Sequence, residues 1–145
     1  MRFMKFALSM AVAMTAAMAA SGQQGNTISV PVEGLKNSQG SVRCGLFNSA
    51  AGFPKAGNQY KGVVTPIANQ QATCVFENVP PGTYAVALFH AQNNETEMKT
   101  NFLGQPQEAY GFSRNPSTTF GAPSFNDAAY AYPGGPSVWP VKLNY

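Results

Sequence analysis

The chain has 145 residues, 44% of them apolar and 10% charged, with 14 Gly and 11 Pro. That length holds one domain rather than two. A disordered chain would carry fewer apolar residues and more net charge, and a coiled coil many more Glu and Lys. The formal charge of +3 hints at an anionic partner, but two of the nine basic residues are Arg2 and Lys5. Without them seven bases face six acids, and nucleic acid is not an expected partner.

Arg2 and Lys5 precede an apolar run from Phe6 to Met18, and the small residues Ala19 and Ala20 lead into polar Ser21-Gly22-Gln23. These are the three parts of a secretory signal peptide, with cleavage expected after Ala19 or Ala20. The run is shorter than the roughly 20 residues that cross a bilayer, and no later stretch is long and apolar enough. No Cys follows the cleavage region to carry a lipid. The expectation is an export signal over residues 1–20 and one exported domain over 21–145, periplasmic or extracellular, with no membrane span after cleavage.

Along that domain, Thr27 to Val32 alternates as a strand, with Pro31 on the outward phase that suits an edge. Ser41 to Phe47 reads as a second strand, residues 48–61 as a long loop, Lys61 to Ile67 as a short strand and Ala72 to Phe76 as another. Pro80-Pro81-Gly82 is a turn signal joining that strand to Thr83–His90 in what reads as a hairpin. About thirty-five residues with little strand pattern follow. Ala128–Tyr132 and Val138–Tyr145 then close the chain around Pro133-Gly134-Gly135-Pro136. No helical periodicity of useful length appears. About seven short strands with Gly/Pro turns predict an all-β protein, an immunoglobulin-like or transthyretin-like β-sandwich with one long ordered loop. Tyr84, Val86 and Leu88 would supply one inner face, with Val42, Leu46 and Phe76 opposite.

Export changes the reading of the two cysteines, because an oxidising compartment lets disulfides persist. Period-2 alternation puts Cys44 on the face of Val42 and Leu46, and Cys74 on the face of Phe76, so both point inward and are expected to pair. A catalytic or metal-binding thiol would need C-x-x-C spacing or a nearby His, and neither is present.

His90 is the only histidine. A lone His does not build a zinc site, and no G-x-S-x-G motif supplies a nucleophile for it. At a strand end it is expected to hydrogen-bond a neighbouring loop. Glu108 and Asp127 are the acids that lie among aromatics, which leaves a carbohydrate or ester hydrolase using His90 with Glu108 or Asp127 as the alternative function. Phosphate-binding loops and dinucleotide motifs are absent, so no cofactor is expected. The loop aromatics Phe102, Tyr110, Phe112, Phe120 and Phe125 either line a ligand platform or pin the loop onto the sandwich, and pinning is the commoner use. Asn94-Glu95-Thr96 has the form of a glycosylation acceptor, read here as a chance match.

Pro81-Gly82-Thr83-Tyr84-Ala85-Val86, then His90, Asn93, Asn101, Gly104, Pro106, Glu108, Gly111, Phe112 and Ser113 in register, then Pro123-Ser124-Phe125-Asn126-Asp127-Ala128 together resemble a family of bacterial secreted proteins, domain of unknown function 2141. The resemblance covers essentially the whole chain after residue 20 and implies a β-sandwich, but no established activity. The family pattern also includes oxygen-bearing side chains at alternate positions followed by Gly, like a calcium loop. Here that loop is degenerate: Ala91 and Lys99 stand at Asp positions and Thr96 at the Gly position, so no metal is expected at residues 90–99 despite Asn93, Glu95 and Glu97.

Three functions follow as expectations. The first is an exported non-enzymatic binding or accessory module whose contact surface is the long loop, its partner an envelope protein or a small ligand. The second is the hydrolase. The third is a purely structural domain that contacts only its own copies or an envelope partner.

Overall fold

Alternation of apolar and polar residues turns one side of each strand inward, and the burial follows it. Ile28, Val30 and Val32 are buried in the first strand, and Ala72, Cys74 and Phe76 in the fourth. The computed structural model describes residues 25–103 and 105–145. Residues 1–20, where the export signal is expected, and Gly104 lie outside them.

The described residues contain nine strands: β1 Thr27–Glu33, β2 Ser41–Phe47, β3 Lys61–Pro66, β4 Ala72–Phe76, β5 Gly82–Ala91, β6 Tyr110–Phe112, β7 Tyr130–Tyr132, β8 Pro136–Val138 and β9 Val141–Lys142. One single-turn helix, α1, covers Phe125–Ala128. The protein is nearly all β, and its strands form two sheets. In the first, β1 pairs with β4 antiparallel and with β8 and β9 parallel. In the second, β3, β2, β5 and β6 lie side by side, all antiparallel, while β7 pairs with the start of β5. Both sheets contribute to one hydrophobic core, in which Ile28, Val30 and Phe76 of the first meet Val42, Leu46 and Val86 of the second. Each such side chain, fully buried, is worth roughly 1.5–3 kcal/mol.

Cys44 on β2 and Cys74 on β4 form a disulfide that ties the two sheets together, with their Cα atoms 6.6 Å apart. The inward orientation expected from alternation is what lets them meet.

Five sequence expectations change. β4 and β5 do not form a hairpin: they belong to different sheets, so Pro80-Pro81-Gly82 carries the chain across the core. For the same reason Val42 and Leu46 are not opposite Val86 and Leu88. β2 and β5 are neighbours, with Leu46 in register with Val86 and Cys44 with Leu88, and only Phe76 faces them from the other sheet. Pro31 is not on an edge strand. Its missing N–H is accommodated because the parallel partner lapses there: β8 pairs with Thr27–Ser29 and β9 with Val32–Glu33, and the break falls at Trp139-Pro140. That break also splits the expected final strand. The strand expected over residues 128–132 is shortened by α1, which Ser124 caps by accepting the Asp127 N–H on its Oγ at 3.1 Å.

Candidate functional site

The outer face of the second sheet is where the structure departs from a plain solvent-facing surface. Two adjacent cross-strand rows there differ sharply in size. One row runs Val64, Arg43, Phe89, Tyr110 across β3, β2, β5 and β6. The next runs Gly62, Gly45, Ala87 and ends on Phe112. Three small residues side by side leave a trough across the strands, and the loops on either side rise above it. The result is a largely apolar cleft of about 470 Å³, walled on one side by Pro54–Ala56 and Gln59 and on the other by Thr96, Glu97 and Met98.

Glycine in a strand interior is costly, which makes Gly45 informative. A Cβ there would sit 3.0 Å from Phe47 Cε1 and 3.2 Å from Gln59 Cβ, so the bare backbone is what lets the loop approach the sheet. Phe47 faces outward but is only 3% exposed, because Phe53 stacks edge-on against it at 5.1 Å. Phe53 also meets Phe112 and Phe125, and this aromatic group closes one end of the cleft.

The long loop owes its shape to the residues that carry the family resemblance. Glu108, itself buried, accepts the Lys99 N–H on Oε1 at 3.0 Å and the Gln92 N–H on Oε2 at 3.4 Å. Both ends of the 92–99 segment are thereby clasped, and Thr96 to Met98 are held as a cleft wall. Beyond the clasp the chain folds back on itself: Thr100 bridges Pro106, and Asn101 Oδ1 accepts the N–H groups of Leu103 and Gln105 at the tip. Asn93 donates its N–H to Glu95 Oε1 at 3.0 Å. Burial alone would raise the Glu95 carboxyl. The amides of Glu95 and Asn93 and the Lys99 ammonium outweigh it and hold the group below its ordinary range. Lys99 Nζ lies 3.7 Å from Glu95 Oε2, so a cation is already set against that carboxylate. Among the described residues no three His, Cys, Asp or Glu side chains cluster as a metal site would require.

His90 is buried, and its Nε2 donates to the Gln39 carbonyl at 2.6 Å. That bond fixes the turn before β2, where Gly40 takes φ +72° and a Cβ would collide with the Ala91 carbonyl at 2.0 Å. Ser113 acts at the point where β5 changes partner from β7 to β6. Its N–H donates to the Val86 carbonyl at 3.0 Å, and its Oγ accepts the Val86 N–H at 2.8 Å and donates to the Ala128 carbonyl at 2.5 Å. Ser113→Ala should therefore leave buried backbone groups unpaired and lower stability by about 1–3 kcal/mol, read from urea denaturation.

Of the residues singled out in the sequence, Tyr110 and Phe112 line the cleft and Phe125 braces its aromatic end. Asn93, Asn101, Pro106, Glu108, Gly111 and Ser113 shape or anchor the loop instead. His90, Glu108 and Asp127 make no hydrogen bond with one another among the described residues; Asp127 is exposed on α1. The loop aromatics divide. Tyr110, Phe112 and Phe125 pack, whereas Phe102 and Phe120 are 95% and 100% exposed at their tips.

Sequence reasoning missed Arg43, Gly45, Gly62, Ala87 and Phe89. The strand-interior glycines were the available signal, since they mark a close approach of backbone or ligand. Arg43 carries a further oddity: its Nε is shut off from solvent and has no hydrogen-bond partner among the described residues. A buried donor left unmade costs roughly 1–3 kcal/mol.

An all-β domain of two disulfide-linked sheets, with an apolar cleft on one outer face, is thus the class that the fold and the site define. The chain belongs to the family described as "Uncharacterized protein conserved in bacteria (DUF2141)", whose model matches residues 30–137. No curated protein and no solved structure is significantly similar to it. Among the described residues no helix is long and apolar enough to cross a membrane.

Proposed function

We propose that this protein is an exported, non-enzymatic β-sandwich of immunoglobulin-like type that serves as a periplasmic or envelope binding module, and that the cleft over β2, β3, β5 and β6 is its contact surface. The observation that carries the reading is the trough of Gly62, Gly45 and Ala87 between two flanking loops, one of them clasped by Glu108. Its volume of about 470 Å³ falls in the range of roughly 300–1,000 Å³ in which small molecules are usually held. The disulfide between strands of facing sheets supports the immunoglobulin-like comparison. It also suits an oxidising compartment.

The neutral fluorescent probe N-phenyl-1-naphthylamine tests this reading. One saturable site is expected, with affinity reduced at least tenfold by Ala87→Leu and by Gly62→Leu, each of which fills the trough. Gly62 is the milder site, because an added Cβ would approach nothing closer than the flexible Gln59 side chain, at 3.4 Å, with the Cys44 carbonyl at an ordinary 3.9 Å. Equal binding by the wild type and both folded variants would contradict the reading.

A further inference from the structure

Arg43 lines the cleft, and among the described residues it makes no ion pair. It stands in the large-residue row between Val64 and Phe89, next to the row of small residues. Among the described residues its Nε is buried and has no hydrogen-bond partner. The other charged lining residues are Lys55 and Glu97, which gives the cleft two cations and one carboxylate. That carboxylate does not neutralise Arg43: among the described residues the one ion pair is Lys99 with Glu95.

Resting on the reading of the cleft as the contact surface, we propose that its ligand is an amphipathic monocarboxylate, with the carboxylate on the Arg43 guanidinium and an unbranched aliphatic or flat aryl body along Gly62, Gly45 and Ala87. A guanidinium offers a planar fork of donors that matches a carboxylate in two parallel hydrogen bonds. Two cations beside one opposing acid leave the cleft a net single positive charge, which suits one negative charge better than a phosphate dianion. The floor has no side chain larger than a methyl group, so the body that lies on it is narrow. Met98 on the wall is an adaptable thioether that can close over bodies of different shape. The local charge of the cleft, rather than the near-neutral balance of the whole domain, sets this preference.

Displacement of N-phenyl-1-naphthylamine by decanoate and by 1-decanol, below any micellar concentration, tests the inference on the folded protein. Decanoate should displace the probe at least tenfold more tightly than 1-decanol. Arg43→Met, which keeps the apolar stem and removes the charge, should bring decanoate down to the affinity of 1-decanol, and Arg43→Gln should do the same. Thermal melts of both variants confirm folding. Decanoate that fails to displace the probe, that binds no better than 1-decanol, or that is indifferent to both Arg43 substitutions would overturn the carboxylate inference. If in that case the probe and 1-decanol still respond to Ala87→Leu and Gly62→Leu, the cleft remains the contact surface. If they ignore those substitutions, the cleft reading falls as well.

Discussion

Replacing Cys44 and Cys74 together by alanine should destabilise the folded domain by about 3–4 kcal/mol, the size expected when a loop of roughly 31 residues loses its cross-link. The bridge joins β2 to β4 across the core, with a sequence separation of 30. It therefore limits how far the two sheets can part in the unfolded chain. It also occupies a fully packed position, since Cys74 is 0% and Cys44 4% exposed. Small domains hold only about 5–15 kcal/mol of net stability, so the loss is a large fraction of the whole. Urea denaturation of the double variant beside the oxidised wild type measures it. The midpoint should fall markedly, and the wild type in excess dithiothreitol should approach the variant. A midpoint unchanged within error would mean that the core alone holds the sheets together.

Gly111→Ala should be nearly as damaging, for a steric reason. Gly111 points from β6 toward the other sheet, and a Cβ there would lie 2.5 Å from Val141 Cγ1 and 2.9 Å from the Lys142 carbonyl oxygen. The carbonyl is backbone and cannot swing away. The flanking Tyr110 exchanges both backbone hydrogen bonds with Asn144, at 3.1 and 2.7 Å, so β6 is held against the C-terminal segment. Overpacking of this kind costs about 1–3 kcal/mol, and the upper end is expected here. Because Tyr110 and Phe112 flank the substituted position and line the cleft, the probe affinity should fall together with stability. A variant with wild-type stability would show that β6 can shift away from β9 freely.

What could be read from the sequence was set by how local each signal is. The bounds of β2 and β4 were legible because alternation and flanking turn residues lie within the strands themselves. The inward pairing of Cys44 and Cys74 was legible from the same alternation. In contrast β6 and α1, three and four residues long, are too short to carry a period. They exist because of distant partners: β6 because of β5 and Asn144, and α1 because Ser113 holds the Ala128 carbonyl. The Ser124-x-x-Asp127 cap was present in the sequence, but nothing periodic followed it. Pro81-Gly82 marked a turn without saying whether the chain returned to the same sheet or crossed to the other. Pro31 suggested an edge, and only the position of the Trp139-Pro140 break explains why a central strand tolerates it. The cleft was the least legible feature. Gly62, Gly45 and Ala87 are far apart in sequence and become one row only through the register of three strands. The family motif, for its part, drew attention to the loop, and most of its residues prove to shape the wall rather than the floor.

In the proposed reading, ligands enter the trough on the outer sheet face. Backbone amide chemical shifts followed by NMR during a decanoate titration test it most directly. The expected result is saturable, co-ordinated shifts at Arg43, Gly45, Gly62, Ala87, Phe89 and Met98, with the exposed tips at Phe102 and Phe120 unmoved. Saturable shifts confined to those tips, with the six cleft amides unchanged, would contradict it.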